Sequence, residues 1–193
     1  MICYLIRHGK DDETVRGGWS QHPLTDEGAQ QAEELAEHIY CNMDEFLIEE
    51  IYSSDLPRAM QTAQRISNRI NCPIIPTPQF REVNNGDLAG MKNDLALERY
   101  PGLFWNRLEW EQPYPNGESP RRFYERIAAA WKVLCEQMQS ENKNVILVTH
   151  AGVIHVILSI IDDENYTNSK LHRKIGYAEM IAVEYQNGEW IKK

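Results

Sequence analysis

The chain is poor in cysteine and in positive charge. Its four cysteines, Cys3, Cys41, Cys72 and Cys135, are scattered among 193 residues with no Cys-x-x-Cys pair. Neither a disulfide framework nor a sulfur-based zinc site can be read from that spacing, and the pattern fits the reduced thiols of a cytoplasmic protein. Twenty Lys and Arg against 29 Asp and Glu leave a formal charge of -9. Such a balance argues against general nucleic-acid or anionic-membrane binding, which needs a basic face, but leaves room for a small anionic ligand where cations cluster. Long apolar runs are also missing. The N-terminal run is closed at once by Arg7, too short for a signal core or a membrane span. There is no G-x-x-x-x-G-K-[ST] loop, no G-x-G-x-x-G and no H-E-x-x-H pair, so nucleotide cradling and a histidine metal site find no support, and no cofactor is expected.

What is present is an alternation of short apolar runs with amphipathic stretches, and 42% of the residues are hydrophobic. The length suits one domain over residues 1–193. Residues 2–6 and 145–148 are continuous and apolar, as expected of parallel strands covered on both faces. Shorter strands are expected at 50–53, 74–77 and 180–185. After the last, the Asn187-Gly188 turn would fold 189–191 back as an edge strand. Residues 26–40 place Ala29, Ala32, Leu35, Ala36 and Ile39 on one face behind Thr25, a suitable N-cap. Further helices are expected behind Pro57, behind Ser119-Pro120 and over 153–161. The stretch 83–117, rich in Asn, Gly, Pro and Trp, reads as a loop and helix insertion beside the site. Together these elements indicate an α/β fold.

In open α/β sheets, ligands bind beyond the carboxyl ends of the strands. Here the first strand runs into Arg7-His8-Gly9, and the strand at 145 runs into Thr149-His150-Ala151-Gly152. A third, ending in Ser53-Ser54-Asp55, leads to Arg58 in the first turn of a helix, where free N–H groups favour an anion. If the two apolar strands are neighbours, two imidazoles meet between two guanidinium groups. Arginine forks match phosphate oxygens. One neutral imidazole can act as nucleophile while the other, protonated, balances charge. Glu82, in Phe80-Arg81-Glu82-Val83, is the candidate for protonating the leaving oxygen.

These segments, together with Leu24-Thr25, Gly28, Gln30, Ala32, Ala59, Thr62, Ala63 and Asn116-Gly117-Glu118-Ser119, resemble the histidine phosphatase superfamily, or phosphoglycerate mutase-like family, in order and over most of the chain. The resemblance implies a three-layer αβα sandwich around a largely parallel sheet, with no metal cofactor. It also implies that His8 is phosphorylated, that Arg7, Arg58 and His150 bind the phosphate, and that Glu82 is the proton donor. Mutase-like members follow R-H-G with Glu-Ser or Gln-Thr and then an asparagine that touches phosphate. This chain has Lys10-Asp11-Asp12-Glu13-Thr14, which puts Thr14 at the asparagine position. Lys10, Trp19 and Ala151 are further candidate substrate contacts, and Lys10, Asp11, Asp12 and Trp19 are expected at the entrance. Two acids there would disfavour a second phosphate beside them unless cations compensate.

The chain lacks the long basic insert of phosphoglycerate mutases. The favoured reading is therefore a phosphoric monoester hydrolase of the histidine acid phosphatase type, working without metal on a small phosphorylated substrate. A mutase and a catalytically idle phospho-ligand-binding module are the alternatives. His155 is expected to be a packed core residue, His22, His38 and His172 to lie at the surface, and Trp105, Trp110 and Trp131 to belong to the core.

Overall fold

The computed structural model describes residues 1–170 and 173–193, so the expectation for His172 lies outside the described residues. In chain order the elements are β1 (Ile2–Arg7), α1 (Asp26–Cys41), α2 (Met43–Phe46), β2 (Ile48–Ser53), α3 (Pro57–Ile70), β3 (Ile74–Pro76), α4 (Asn93–Arg99), α5 (Pro120–Glu141), β4 (Asn144–Thr149), α6 (Ala151–Ile161), β5 (Met180–Gln186) and β6 (Glu189–Lys192). Short 3₁₀ turns cover Pro78–Phe80, Gly86–Leu88 and Trp105–Arg107.

The strands form one sheet in the order β3-β2-β4-β1-β5-β6. The first four are mutually parallel, whereas β5 runs antiparallel to β1 and β6 antiparallel to β5. The two apolar runs are neighbours, paired from Cys3 with Val145 through Arg7 with Thr149. Because side chains alternate along a strand, each run feeds two cores. Cys3, Leu5, Val145 and Leu147 join Phe123, Ile127, Trp131, Val153 and Ile157 of α5 and α6. Ile2, Tyr4, Ile6, Ile146 and Val148 join Ile39, Ala59, Ala63 and Ile66 of α1 and α3. Helices thus cover both faces, which gives the αβα sandwich its three layers.

The helix ends follow local chemistry. Thr25 Oγ1 accepts from the Gly28 N–H at 3.1 Å, and Ser119 Oγ accepts from the Arg122 N–H at 3.3 Å, ahead of Pro120. Each cap contributes about 1 kcal/mol. Asn187 and Gly188 have φ of 53° and 95°, the two left-handed residues that a tight hairpin needs. Gly28 of α1 lies against the backbone of Lys10, and a side chain at either Gly9 or Gly28 would strike the other segment's backbone. That close approach ties the loop after β1 to the start of α1.

One short element had no sequence signal and another only a weak one. Helix α2 is a single turn, ended by Leu47 at φ 50°. The weak periodicity at 95–100 becomes the seven-residue α4, beside a small cluster of Leu88, Leu108 and Tyr114. Trp131 is buried as expected, but Trp110 is 40% exposed. Trp110 packs on Tyr124 and Tyr166 rather than in a core, which corrects the sequence expectation.

Candidate active site

Strand register builds the site. Arg7 lies opposite Thr149 and Ser53 opposite Val148, so β1, β2 and β4 end nearly level. The residues that follow them, His8, Ser54 and His150, are consequently adjacent. The rings of His8 and His150 are 5.0 Å apart between centroids, and His150 Nε2 lies 2.8 Å from Ser54 Oγ. Both rings are buried, as is Arg58, which is 1% exposed.

One hydrogen bond sets the chemistry of His8. Its Nδ1 is 2.7 Å from the Gly9 carbonyl oxygen, which can only accept, so the ring proton is assigned to Nδ1. The lone pair is then on Nε2, where it accepts from Arg58 Nε at 3.2 Å. Arg58 is held in turn by the loop after β1. It donates to Ser20 O and Ser20 Oγ at 3.2 Å and to Gly18 O at 2.7 Å, and its Nε is 3.3 Å from the Asp11 carboxylate. Arg7 donates to Ile175 O at 2.6 Å and lies 3.8 Å over the Tyr177 ring. Arg7 Nε and His150 Nδ1 are buried without a partner among the described residues. Unsatisfied buried polar atoms beside two fixed cations form a setting that an anion would complete.

Burial pushes the His8 pKa well below the ordinary histidine value; the Arg58 charge lowers it further, against a raising contribution from the Gly9 carbonyl. His150 is lowered in the same way, by burial first and then by Arg58 and His8. Both imidazoles are therefore neutral at pH 7. Because their folded pKa values lie below the unfolded value of about 6.5, the unfolded chain takes up protons first on acidification. The stability that follows is present above that pH and lost as pH falls below it. The urea midpoint is expected to drop between about pH 7 and pH 5, with a shallower slope in His8→Asn. Identical slopes in the two proteins would show that His8 is not held neutral.

Glu82 sits across from the imidazoles. Its Oε1 accepts from the Val83 N–H at 3.0 Å and its Oε2 from the Gly152 N–H at 3.1 Å. A side chain at Gly152 would collide with the carboxylate, so glycine there lets Glu82 approach the start of α6. The loop carrying Glu82 is clamped by Arg126 of α5, a residue that sequence reasoning missed. Arg126 pairs with both oxygens of Glu118, at 2.7 and 2.9 Å, and donates to the carbonyls of Gln79, Arg81 and Glu82 at 2.6, 3.0 and 3.1 Å. Trp19 Nε1 adds a bond to Glu82 O at 2.7 Å.

Arg7, His8, Arg58 and Glu82 thus line one recess, together with Asp11, Asp12, Glu13 and Tyr177. His150 lies just beneath it against His8, and Ala151 lines a second recess next door. Lys10 and Thr14 do not come to the site: Lys10 pairs with Glu27 at 2.6 Å, and Thr14 Oγ1 donates to Asp12 at 2.7 Å. Trp19 braces the Glu82 loop and does not line the entrance. Tyr177, beside both Arg7 and His8, was also missed, because nothing in its local sequence marks it. His155 is buried and His38 is exposed, as expected. Among the described residues no group of three or more His, Cys, Asp or Glu side chains could hold a metal ion, and no helix is long and apolar enough to cross a membrane.

Known proteins are similar to this chain in sequence and in fold. The uncharacterized phosphatase PhoE of Bacillus subtilis is 30% identical over 164 residues, covering 83% of this chain and 76% of that protein. A probable phosphoglycerate mutase GpmB of Proteus mirabilis is 29% identical over 196 residues, covering 97% and 86%. Among solved structures, Bacillus stearothermophilus YhfR superposes with a TM-score of 0.85 at 23% identity over 99% of this chain and 94% of that one. The alpha-ribazole phosphatase of Shigella flexneri gives 0.83 at 21% identity over 100% and 95%. A family profile matches residues 3–193, and with paired histidines between two arginines at the level strand ends, the chain belongs to the histidine phosphatase superfamily, branch 1.

Proposed function

We propose that this protein is a metal-independent phosphatase that hydrolyses a small phosphate monoester through a phosphohistidine at His8. The observation that carries the reading is the fixed tautomer of His8, whose Nε2 lone pair points to Arg58 Nε at 3.2 Å while Nδ1 is held by Gly9 O. Arg7 and Arg58 hold the phosphoryl oxygens and His8 Nε2 attacks phosphorus. As the ester P–O bond breaks, the departing oxygen takes a proton from Glu82. Water then attacks the phosphohistidine and gives a proton to Glu82; the P–N bond breaks and inorganic phosphate leaves. Burial first and then the Arg58 charge lower the His150 pKa; a bound dianion acts in the opposite direction, so His150 gains its proton when the phosphoryl group is present and helps neutralise it. The relative named a phosphatase supports hydrolysis, and four free cysteines, three of them buried, support a cytoplasmic setting.

The test is to trap the intermediate. Protein denatured with SDS at alkaline pH during turnover of a ³²P-labelled aryl phosphate is expected to carry base-stable, acid-labile label on the peptide containing His8, with turnover unaffected by EDTA. Complete loss of turnover in EDTA, restored by Mg²⁺, would overturn the mechanism. Mutase activity is the second reading, favoured by the coverage of the GpmB relatives; stimulation by a bisphosphate primer, with the phosphoryl group recovered on a sugar acid, would establish it instead.

A further inference from the structure

Glu82 and Arg7 line two recesses at once. One, of about 210 Å³, contains His8 and Arg58 and is edged by Asp11, Asp12 and Glu13. The other, of about 330 Å³, runs behind Glu82 along the start of α6, within the size range of small-ligand sites. Its charge is opposite. Among the described residues Glu82 is its sole carboxylate, and Lys170 and Lys174 join Arg7 around it. Its walls are flat and apolar, with Trp105, Tyr166, Val83 and Ile175 among them.

Those walls are also rigid. Trp105 packs edge-on against Phe123 with centroids 5.5 Å apart and stacks on Tyr114 at 6.2 Å; Tyr166 stacks on Tyr124 at 5.6 Å. Asn168 Nδ2 donates to Trp105 O and Leu108 O at 2.6 and 2.9 Å, and Ser159 Oγ donates to His155 O at 2.8 Å. These wall donors are already engaged inside the protein, which leaves ring faces and methyl groups for a guest.

The route of the substrate follows from Glu82. A leaving oxygen must lie within about 3 Å of the acid that protonates it, so the alcohol continues from Glu82 into one of the two recesses. The smaller is taken by the phosphoryl group, and its three carboxylates repel further negative charge. The larger begins at Glu82 and offers aromatic faces, then lysines. We infer that the chamber behind Glu82 holds the alcohol of the substrate, a flat apolar group bearing a second anion that Lys170 and Lys174 receive. The inference rests on the phosphatase reading and names its substrate class.

The test compares phenyl, 4-carbamoylphenyl, 3-carboxyphenyl and 4-carboxyphenyl phosphates with the full-length protein, alongside the double variant Lys170→Gln/Lys174→Gln. The better carboxylated ester is expected to exceed the neutral carbamoyl ester in kcat/KM by roughly tenfold, the scale of a charge-assisted contact, and the double variant to bring that ratio near one. Comparing ratios within each protein cancels differences in leaving-group chemistry. As a binding readout, 4-hydroxybenzoate is expected to inhibit competitively, and glycolate, which has the carboxylate without the ring, at least about tenfold more weakly. Equal rates for charged and neutral esters, a preference that survives loss of both lysines, or equal inhibition by glycolate would each overturn the inference while leaving hydrolysis intact. Absence of both turnover and phosphoenzyme on every ester would overturn the phosphatase reading itself.

Discussion

His8→Ala is expected to lower kcat/KM for any phosphate monoester by at least about 10⁴-fold, the scale seen when a covalent nucleophile is removed. In the proposed mechanism no neighbour can substitute. His150 is the other imidazole at the site, but its Nε2 faces Ser54 Oγ at 2.8 Å, and it lies beneath the recess that His8 lines. Arg7 and Arg58 would still bind phosphate in the variant, so inorganic phosphate or vanadate should bind while no labelled phosphoenzyme accumulates. Steady-state kinetics with circular dichroism as the folding control measures the effect. A folded His8→Ala protein that retains activity within tenfold of wild type would remove His8 as nucleophile.

The second large effect is expected at Glu82. Glu82→Gln keeps the size of the side chain and an acceptor for one of the two N–H groups, Val83 or Gly152, that the carboxylate receives, but cannot deliver a proton. General acid catalysis contributes about 10²–10⁴-fold where the leaving oxygen is basic. Alkyl phosphates should therefore lose activity on that scale, whereas a nitrophenyl ester, whose phenolate leaves unaided, should lose far less. The signature is a steeper dependence of log kcat/KM on leaving-group pKa in the variant. A uniform loss across all esters would mean that Glu82 orients substrate and does not protonate it.

These expectations draw on different depths of sequence information. β1 and β4 were legible because strands buried on both faces leave continuous apolar runs, α1, α3 and α5 because their apolar stripes recur at helical spacing, and α6 because its stretch is apolar almost throughout, as in a buried helix. Arg7, His8 and His150 were legible for a related reason: they sit within two residues of a strand end, so recognising the strand locates them. The pairing of Asp11 with Arg58, the clamp of Arg126 on the Glu82 loop and the ring of Tyr177 beneath Arg7 were not. Each joins segments far apart along the chain, and no local period encodes such a meeting. Lys10 and Thr14 show the converse. Both neighbour the right motif, yet their side chains turn to Glu27 and Asp12, because orientation in a loop depends on the partners packed against it.

The order of elements, the two-faced burial of the central strands and the identity of the charged groups at their ends were written in the sequence, since each is a local pattern of side-chain polarity. The tertiary structure decided the level register of β1, β2 and β4 that brings His8 against His150, the tautomer imposed by the Gly9 carbonyl, and the chamber between Trp105, Tyr166 and α6. Those features arise where packed surfaces meet, and the geometry of a meeting is set by the shapes of both partners together.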